Sequence, residues 1–234
     1  MKKSLFSVTL LFIAVGALGQ QRFTLSLKTD DKVTMHGFCY WQELQVRSKD
    51  TSFTTHLHRA NPDEIKNLKA GTYTLTAVSV FNGKLCKKVK LNKKNALVKW
   101  KGLQAFYKRV PEKESLSEKL ALNDTLFILY SSSADENAKE KIGITKTASG
   151  YKAIQYRGIG TEVQQEMQFR NEFFKDVVAF EANGKKANSP KAETAPRAEI
   201  YTLALKKEII SFIIPGEWHG MDSLKAKLFI VEQK

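Results

Sequence analysis

Residues 71–91 restrict this chain more than any other stretch. Tyr73, Leu75 and Ala77 alternate with threonines, and Leu85, Val89 and Leu91 alternate with lysines and a cysteine. A period of two is what a strand buried on one face imposes. Asn82-Gly83 lies between the two runs and is a hairpin signal. A two-residue turn there would pair Leu75 with Lys90 and set the apolar faces against each other. A three-residue loop, Phe81-Asn82-Gly83, pairs Val80 with Lys84 and Tyr73 with Leu91, which puts most apolar residues on one side. A slip of one residue reverses every side chain, so the second register is the expected one.

The same alternation extends upstream. Phe23, Leu25 and Leu27 alternate with Thr24, Ser26 and Lys28, and residues 33–41, 43–47 and 52–59 read as further strands. Asn61-Pro62-Asp63 breaks the chain. Residues 20–100 are therefore expected to form an all-β domain. Within it, the run Ile65-Lys66-Asn67-Leu68-Lys69-Ala70-Gly71-Thr72-Tyr73-Thr74-Leu75 resembles the L-x-x-G-x-Y-x-L core of transthyretin-like, or carboxypeptidase regulatory-like, domains. The resemblance implies a seven-stranded Ig-like sandwich that serves as a structural or interaction module, with no catalytic residues to carry over. Its physical content is a turn at Gly71 followed by a strand that buries Tyr73 and Leu75.

Gly102, Pro111 and the charges over 108–114 mark residues 101–114 as a linker. Residues 115–234 mix element types and are expected to form an α+β domain. Residues 124–130, 141–147 and 151–157 read as strands, the last two flanking Ala148-Ser149-Gly150. From Thr161 and Glu162 onward, Val163, Met167, Phe169, Phe173, Phe174, Val177, Val178 and Phe180 suggest one long helix over 162–181. On that helix Glu162, Glu166 and Arg170 would share an exposed face. Residues 183–197 read as a polar loop. Residues 199–205 and 208–215 read as a hairpin about Lys206-Lys207. Asp222 is placed to cap a terminal helix over 223–229. The tail, with Trp218-His219-Gly220-Met221 followed by Leu224-Lys225 and Leu228-Phe229, is similar to exported, uncharacterised proteins of the Bacteroidetes type.

Residues 1–19, MKKSLFSVTLLFIAVGALG, read as a signal peptide. Lys2 and Lys3 open it, the apolar run is shorter than the ~20 residues of a bilayer span, and Ala17 and Gly19 suit cleavage before Gln20. No cysteine follows the run, which argues against a lipoprotein. The expected location is secreted or periplasmic, with no membrane-spanning segment after cleavage. The chain carries 38 Lys and Arg against 24 Asp and Glu, a formal net charge of +14. That excess favours anionic partners, and Lys84, Lys87, Lys88, Lys90, Lys93, Lys94, Lys99 and Lys101 form its densest cluster. Export argues against nucleic acid. The expected partner is an anionic envelope component or another envelope protein.

Candidate chemistry is sparse. His56 and His58 share one face of a strand and could begin a metal site, with His36 and Cys39 nearby, but no second short-spaced pair completes it. Solvent-facing histidines are the simpler reading, and no metal or other cofactor is expected. Cys39 and Cys86 are the only cysteines. Export permits a disulfide, whereas the expected registers point the two thiols to opposite sides, so the pairing stays open. Glu217, Trp218 and His219, with Asp222 close by, put an acid, a base and an aromatic wall together. No nucleophile elbow accompanies them, so they are read as a ligand-binding candidate and not as a catalytic set. Gly158-Ile159-Gly160 lacks the rest of a phosphate loop. The expected function is an exported, non-enzymatic binding or interaction protein of the cell envelope. The alternatives are a surface-assembly component and a hydrolase of envelope or host polymers with its site in the C-terminal half.

Overall fold

The computed structural model describes residues 22–29, 34–35, 38–39, 41–57, 63–92, 95–132, 139–189, 197–216 and 218–229. The expected signal peptide lies outside them. The fold is mostly β, and the chain divides into two compact units. Among the described residues no helix is long and apolar enough to cross a membrane.

The first unit is built of β1 (Phe23–Thr29), β2 (Thr34–Met35), β4 (Trp41–Arg47), β5 (Ser52–His56), β6 (Asp63–Leu68), β7 (Gly71–Ser79), β8 (Lys84–Leu91) and β9 (Asn95–Trp100). Strand β3 (Phe38–Cys39) pairs with β2 in a short ladder. Two larger sheets hold the rest, ordered β6-β1-β9 and β5-β4-β7-β8. Strand β1 runs antiparallel to β6 and parallel to β9. The alternation read from sequence is the burial pattern: Leu25, Leu27, Val46, Leu75 and Ala77 are wholly buried, with Tyr73 and Leu91 nearly so. Each buried Leu or Val side chain among them contributes about 1.5–3 kcal/mol. The buried indole of Trp41 donates to the carbonyl of Leu103 at 3.0 Å, so its polar atom is satisfied inside the core.

The β7–β8 register differs from the expected one by two residues. Tyr73 pairs with Val89, Leu75 with Lys87 and Val78 with Lys84. The faces are as expected, because a shift of two preserves parity. The connection is longer because Val80 and Phe81 turn away from the ladder and are buried in the second unit, where Phe81 meets Tyr107 edge-on with ring centroids 5.7 Å apart. Asn82, not Gly83, takes the left-handed conformation, with φ 62°.

The second unit carries a seven-stranded sheet. Its strands are β10 (Lys108–Arg109), β11 (Thr125–Ser132), β12 (Lys139–Thr147), β13 (Gly150–Tyr156), β14 (Val163–Phe169), β15 (Ala198–Leu205) and β16 (Glu208–Pro215), in the order β10-β16-β15-β11-β12-β13-β14. Helices α1 (Phe174–Ala187) and α2 (Gly220–Leu228) cover one face. There Leu126, Ile128, Ile144, Leu203 and Phe212 share a core with Val177 and Phe180 of α1 and Leu224 of α2. Gly184 lets α1 lie close on β16, since a Cβ there would stand 2.6 Å from the Phe212 ring.

Three expectations are corrected. Residues 101–114 are not a bare linker: β10 pairs in parallel with β16, and Val110 is buried in the second core. Residues 163–169 are not helical but form edge strand β14. Val163, Gln165, Met167 and Phe169 alternate there with Gln164, Glu166 and Gln168, and Glu166 pairs across the ladder with Lys152 at 3.3 Å. The helix instead begins after a 3-10 turn at Asn171–Phe173 and runs on to Ala187, into the expected loop. At α2 the residue before the first turn is His219, with no side-chain cap, and Asp222 falls inside the helix.

One buried charge organises this unit. Glu181 on α1 is 1% exposed. Its carboxylate accepts from the Leu116 amide at 2.9 Å, the Ser117 amide at 2.7 Å, the Ser117 hydroxyl at 2.5 Å and the Ser115 hydroxyl at 3.1 Å. Lys185, one turn on, adds an ammonium at 2.6 Å. Burial works against the ionised form, but the hydrogen bonds from Lys185, Ser117 and Leu116 outweigh it and hold the carboxyl below its ordinary pKa. A depressed pKa adds stability that is present above the unfolded-state value and lost as pH falls through the folded one. Urea titrations should therefore show a midpoint that drops as the pH is taken below about 4. Glu181→Ala should weaken that pH dependence and cost about 3–5 kcal/mol at neutral pH.

Candidate functional site

A cavity of about 400 Å³ opens in the second unit. Its wall is set by sheet register. Tyr130 on β11 stands opposite Tyr201 on β15 and Glu140 on β12, and Ser132 stands opposite Glu199. Residues in register share a face, so these side chains converge at one end of three adjacent strands. Arg197, Gly216, His219, Met221 and Asp222 complete the lining.

The electrostatics are tightly partnered. Glu199, 8% exposed, accepts from the Tyr201 hydroxyl at 2.7 Å and the Trp218 amide at 3.2 Å. Burial, then the hydrogen bond and charge of Glu199, push the Tyr201 hydroxyl far above its usual range. Burial and the Glu199 charge also raise Tyr130, against a hydrogen bond from Ser132. Lys225 donates to Glu140 at 2.7 Å and lies 2.9 Å from Asp222. Burial disfavours its ammonium, yet these two carboxylates outweigh burial and raise its pKa. Both phenols thus stay protonated at neutral pH.

The expected binding triad is only partly assembled. His219 lines the cavity and is exposed. Trp218 instead lines a smaller cavity of about 170 Å³ with Asp176, Phe180 and Lys227. Its ring packs 5.3 Å from Phe180 and edge-on at 5.1 Å from Tyr201. Glu217 lies outside the described residues. The reading missed Tyr130, Glu140, Arg197 and Glu199, which come from segments far apart in sequence. In the first unit His56 is exposed on β5 opposite Glu43, and His58 lies outside the described residues. Cys86 is a free, exposed cysteine. The side chain of Cys39 is not among those described.

No protein-family model matches the chain, and no curated relative does. One solved structure, "The Bacillus anthracis TIE protein", is similar over 85% of this chain and 32% of its own, at 9% identity and a TM-score of 0.26. The chain spans about a third of that structure, and a likeness this distant carries no argument. The fold and the cavity define the class: a mostly-β protein of two units with a polar cavity in the second.

The placement of Trp218 in the smaller cavity depends on Gly220. A Cβ there would stand 2.3 Å from the Trp218 ring, and His219 before it already holds a left-handed φ of 55°. Gly220→Ala must displace the indole from Phe180 and Tyr201. It should lower stability by about 1–3 kcal/mol and shift the tryptophan emission, read by urea titration followed by fluorescence.

Proposed function

We propose that this chain is an exported, non-enzymatic binding protein of the cell envelope whose second unit holds a small polar ligand in the cavity at Tyr130, Arg197, Glu199, His219 and Asp222. The observation that carries this reading is the convergence of two phenols, a guanidinium, an imidazole and three carboxylates on one concave space. Pockets of about 300–1,000 Å³ with a few placed polar groups suit small molecules. The hydroxyls of Tyr130 and Ser132 and the charges of Arg197 and Asp222 favour a ligand rich in hydroxyl or amino groups. Export rests on the reading of residues 1–19. An Ig or transthyretin-like spacer is the reading we attach to the first unit, on its two sheets and the Gly71–Leu75 motif.

Convergent titratable groups also suit the hydrolase alternative. Against it, Glu199 is occupied by Tyr201 and the Trp218 amide, and Glu140 and Asp222 share Lys225. These contacts leave each acid committed to structure. The test is a thermal-shift screen of the mature chain against sugars, amino sugars and amino acids, followed by calorimetry of any hit. Tyr130→Phe and Arg197→Ala should each weaken a true cavity ligand about tenfold. A ligand that binds both variants as tightly as the parent, or is consumed during the titration, overturns the reading.

A further inference from the structure

The outward face of the four-stranded sheet is organised differently from the cavity. The ladder Val78↔Lys84, Thr76↔Cys86, Thr74↔Lys88, Thr72↔Lys90 sets Lys84, Cys86, Lys88 and Lys90 on one side of β8. All four are exposed. On β4 the same side carries Glu43, Gln45 and Arg47, paired with Val78, Thr76 and Thr74. On β5 it carries Ser52, Thr54 and His56. Arg47, Thr74 and Lys88 thus stand in one row across three strands. Among the described residues of this face, four cations meet the single carboxylate of Glu43, and no carboxylate lies within ion-pair distance of Lys84, Lys88, Lys90 or Arg47. Lys87 is paired with Leu75 on the opposite face of β8, where it donates to the Lys99 carbonyl at 2.6 Å, so it stands apart from this row.

Edge strands often carry lysine to discourage strand pairing. That accounts for β8, the edge, but not for Arg47 on interior strand β4. The spaces between the cations are filled by hydroxyls and an amide: Thr72, Thr74, Thr76, Ser52, Thr54 and Gln45. Alternate residues on a strand stand about 7 Å apart, so Lys84, Lys88 and Lys90 form a line along β8 that a flexible linear anion can follow, with Arg47 two strands to one side of it. Among the described residues this face offers only the His56 ring to a stacking base, and its apolar side chain, Val78, is buried and does not reach a bilayer. Its chemistry is ammonium and guanidinium for carboxylates, with hydroxyls and amide for sugar hydroxyls.

We infer that this face, on β8, β7 and β4, binds a linear acidic polysaccharide through Arg47, Lys84, Lys88 and Lys90. The site lies in the other unit from the cavity and goes beyond the function proposed above, so either reading can fail alone. The probe is a size-defined uronic-acid oligomer from alginate, titrated into the mature chain, with uncharged dextran oligomers and phosphatidylglycerol vesicles alongside. Binding to the uronate should weaken about tenfold or more between about 50 and about 200 mM salt. The triple variant Lys84→Glu, Lys88→Glu, Lys90→Glu should lose about tenfold or more. Lys113→Glu, Lys175→Glu, Lys186→Glu makes the same charge change on exposed positions of the second unit, and should stay within about twofold of the parent. Cys86 gives a readout on the unaltered chain: bound uronate should slow its alkylation by iodoacetamide, followed by peptide mass spectrometry. Should the glutamates disturb the fold, lysine-to-glutamine changes at the same three positions serve. Equal losses in both triple variants, dextran binding as tight as uronate, vesicles preferred over uronate, no uronate binding at low salt, or unprotected Cys86 would each overturn the inference.

Discussion

A carboxylate taken out of water costs several kcal/mol unless its lone pairs are filled. Glu181 fills them with two amides, two hydroxyls and an ammonium, and the geometry of the second unit follows from that bargain. The donors at Ser115, Leu116 and Ser117 belong to the segment that leads into β11, so the contact fixes that segment against α1. Lys185 strengthens the tie by also donating to the Glu114 carbonyl. With α1 fixed, Val177 and Phe180 press into the sheet. Phe180 supports Tyr201 and Trp218, and those two direct a hydroxyl and an amide at Glu199. The wall of the cavity is therefore held in place from behind, by a helix that does not touch its opening.

How much of this was legible depended on whether the signal was local. The hairpins β12–β13 and β15–β16 announced themselves because each is two strand-length runs rich in β-branched and aromatic residues about a short polar turn, and nothing distant needs to agree. Strand β14 was misread because Val163, Met167, Phe169, Phe173 and Phe174 fit a helical stripe as well as they fit alternation. An edge strand flanked by glutamines is weakly amphipathic, so its period is faint. Residues 101–114 look like a linker by composition, and the pairing of β10 with β16 is a tertiary event. The burial of Glu181 and Lys141 left no mark, since a buried charge is defined by partners that sequence does not place. His219 was found because it sits beside Trp218. Tyr130, Glu140 and Glu199 were missed because only the register of β11, β12 and β15 brings them together.

The two units handle charge in opposite ways. In the second, acids are taken up by nearby cations: Glu140 and Asp222 by Lys225, Asp176 by Lys227, and Glu181 by Lys185. Such pairing fixes side chains and leaves little net field at the surface. In the first, Arg47, Lys84, Lys88 and Lys90 share the β4–β8 face with the single carboxylate of Glu43, and among the described residues none of the four has an acid within ion-pair distance. At about 0.15 M salt the Debye length is about 8 Å, so Lys88 and Lys90, about 7 Å apart along the strand, still repel, whereas Lys84, about twice as far from Lys88, is largely screened. The potential of the row is still summed along the strand, which is what a repeating polyanion senses and a single small anion does not.

Lys141 shows the other way an ammonium can be carried. It is wholly buried, donates to the Val80 carbonyl at 3.1 Å and lies 4.2 Å from the centre of the Tyr156 ring. A carbonyl dipole and an aromatic face both offer negative potential, and in a low-dielectric setting each is worth more than at the surface. The same contact explains the hairpin register. Once the Val80 carbonyl serves Lys141 and Phe81 packs near Phe127, neither residue is available to the β7–β8 ladder. Pairing must then close at Val78 and Lys84, two residues earlier than local turn chemistry would set it. The alternation of residues 71–91 decides which side chains are buried, and a lysine sixty residues away decides where the ladder stops.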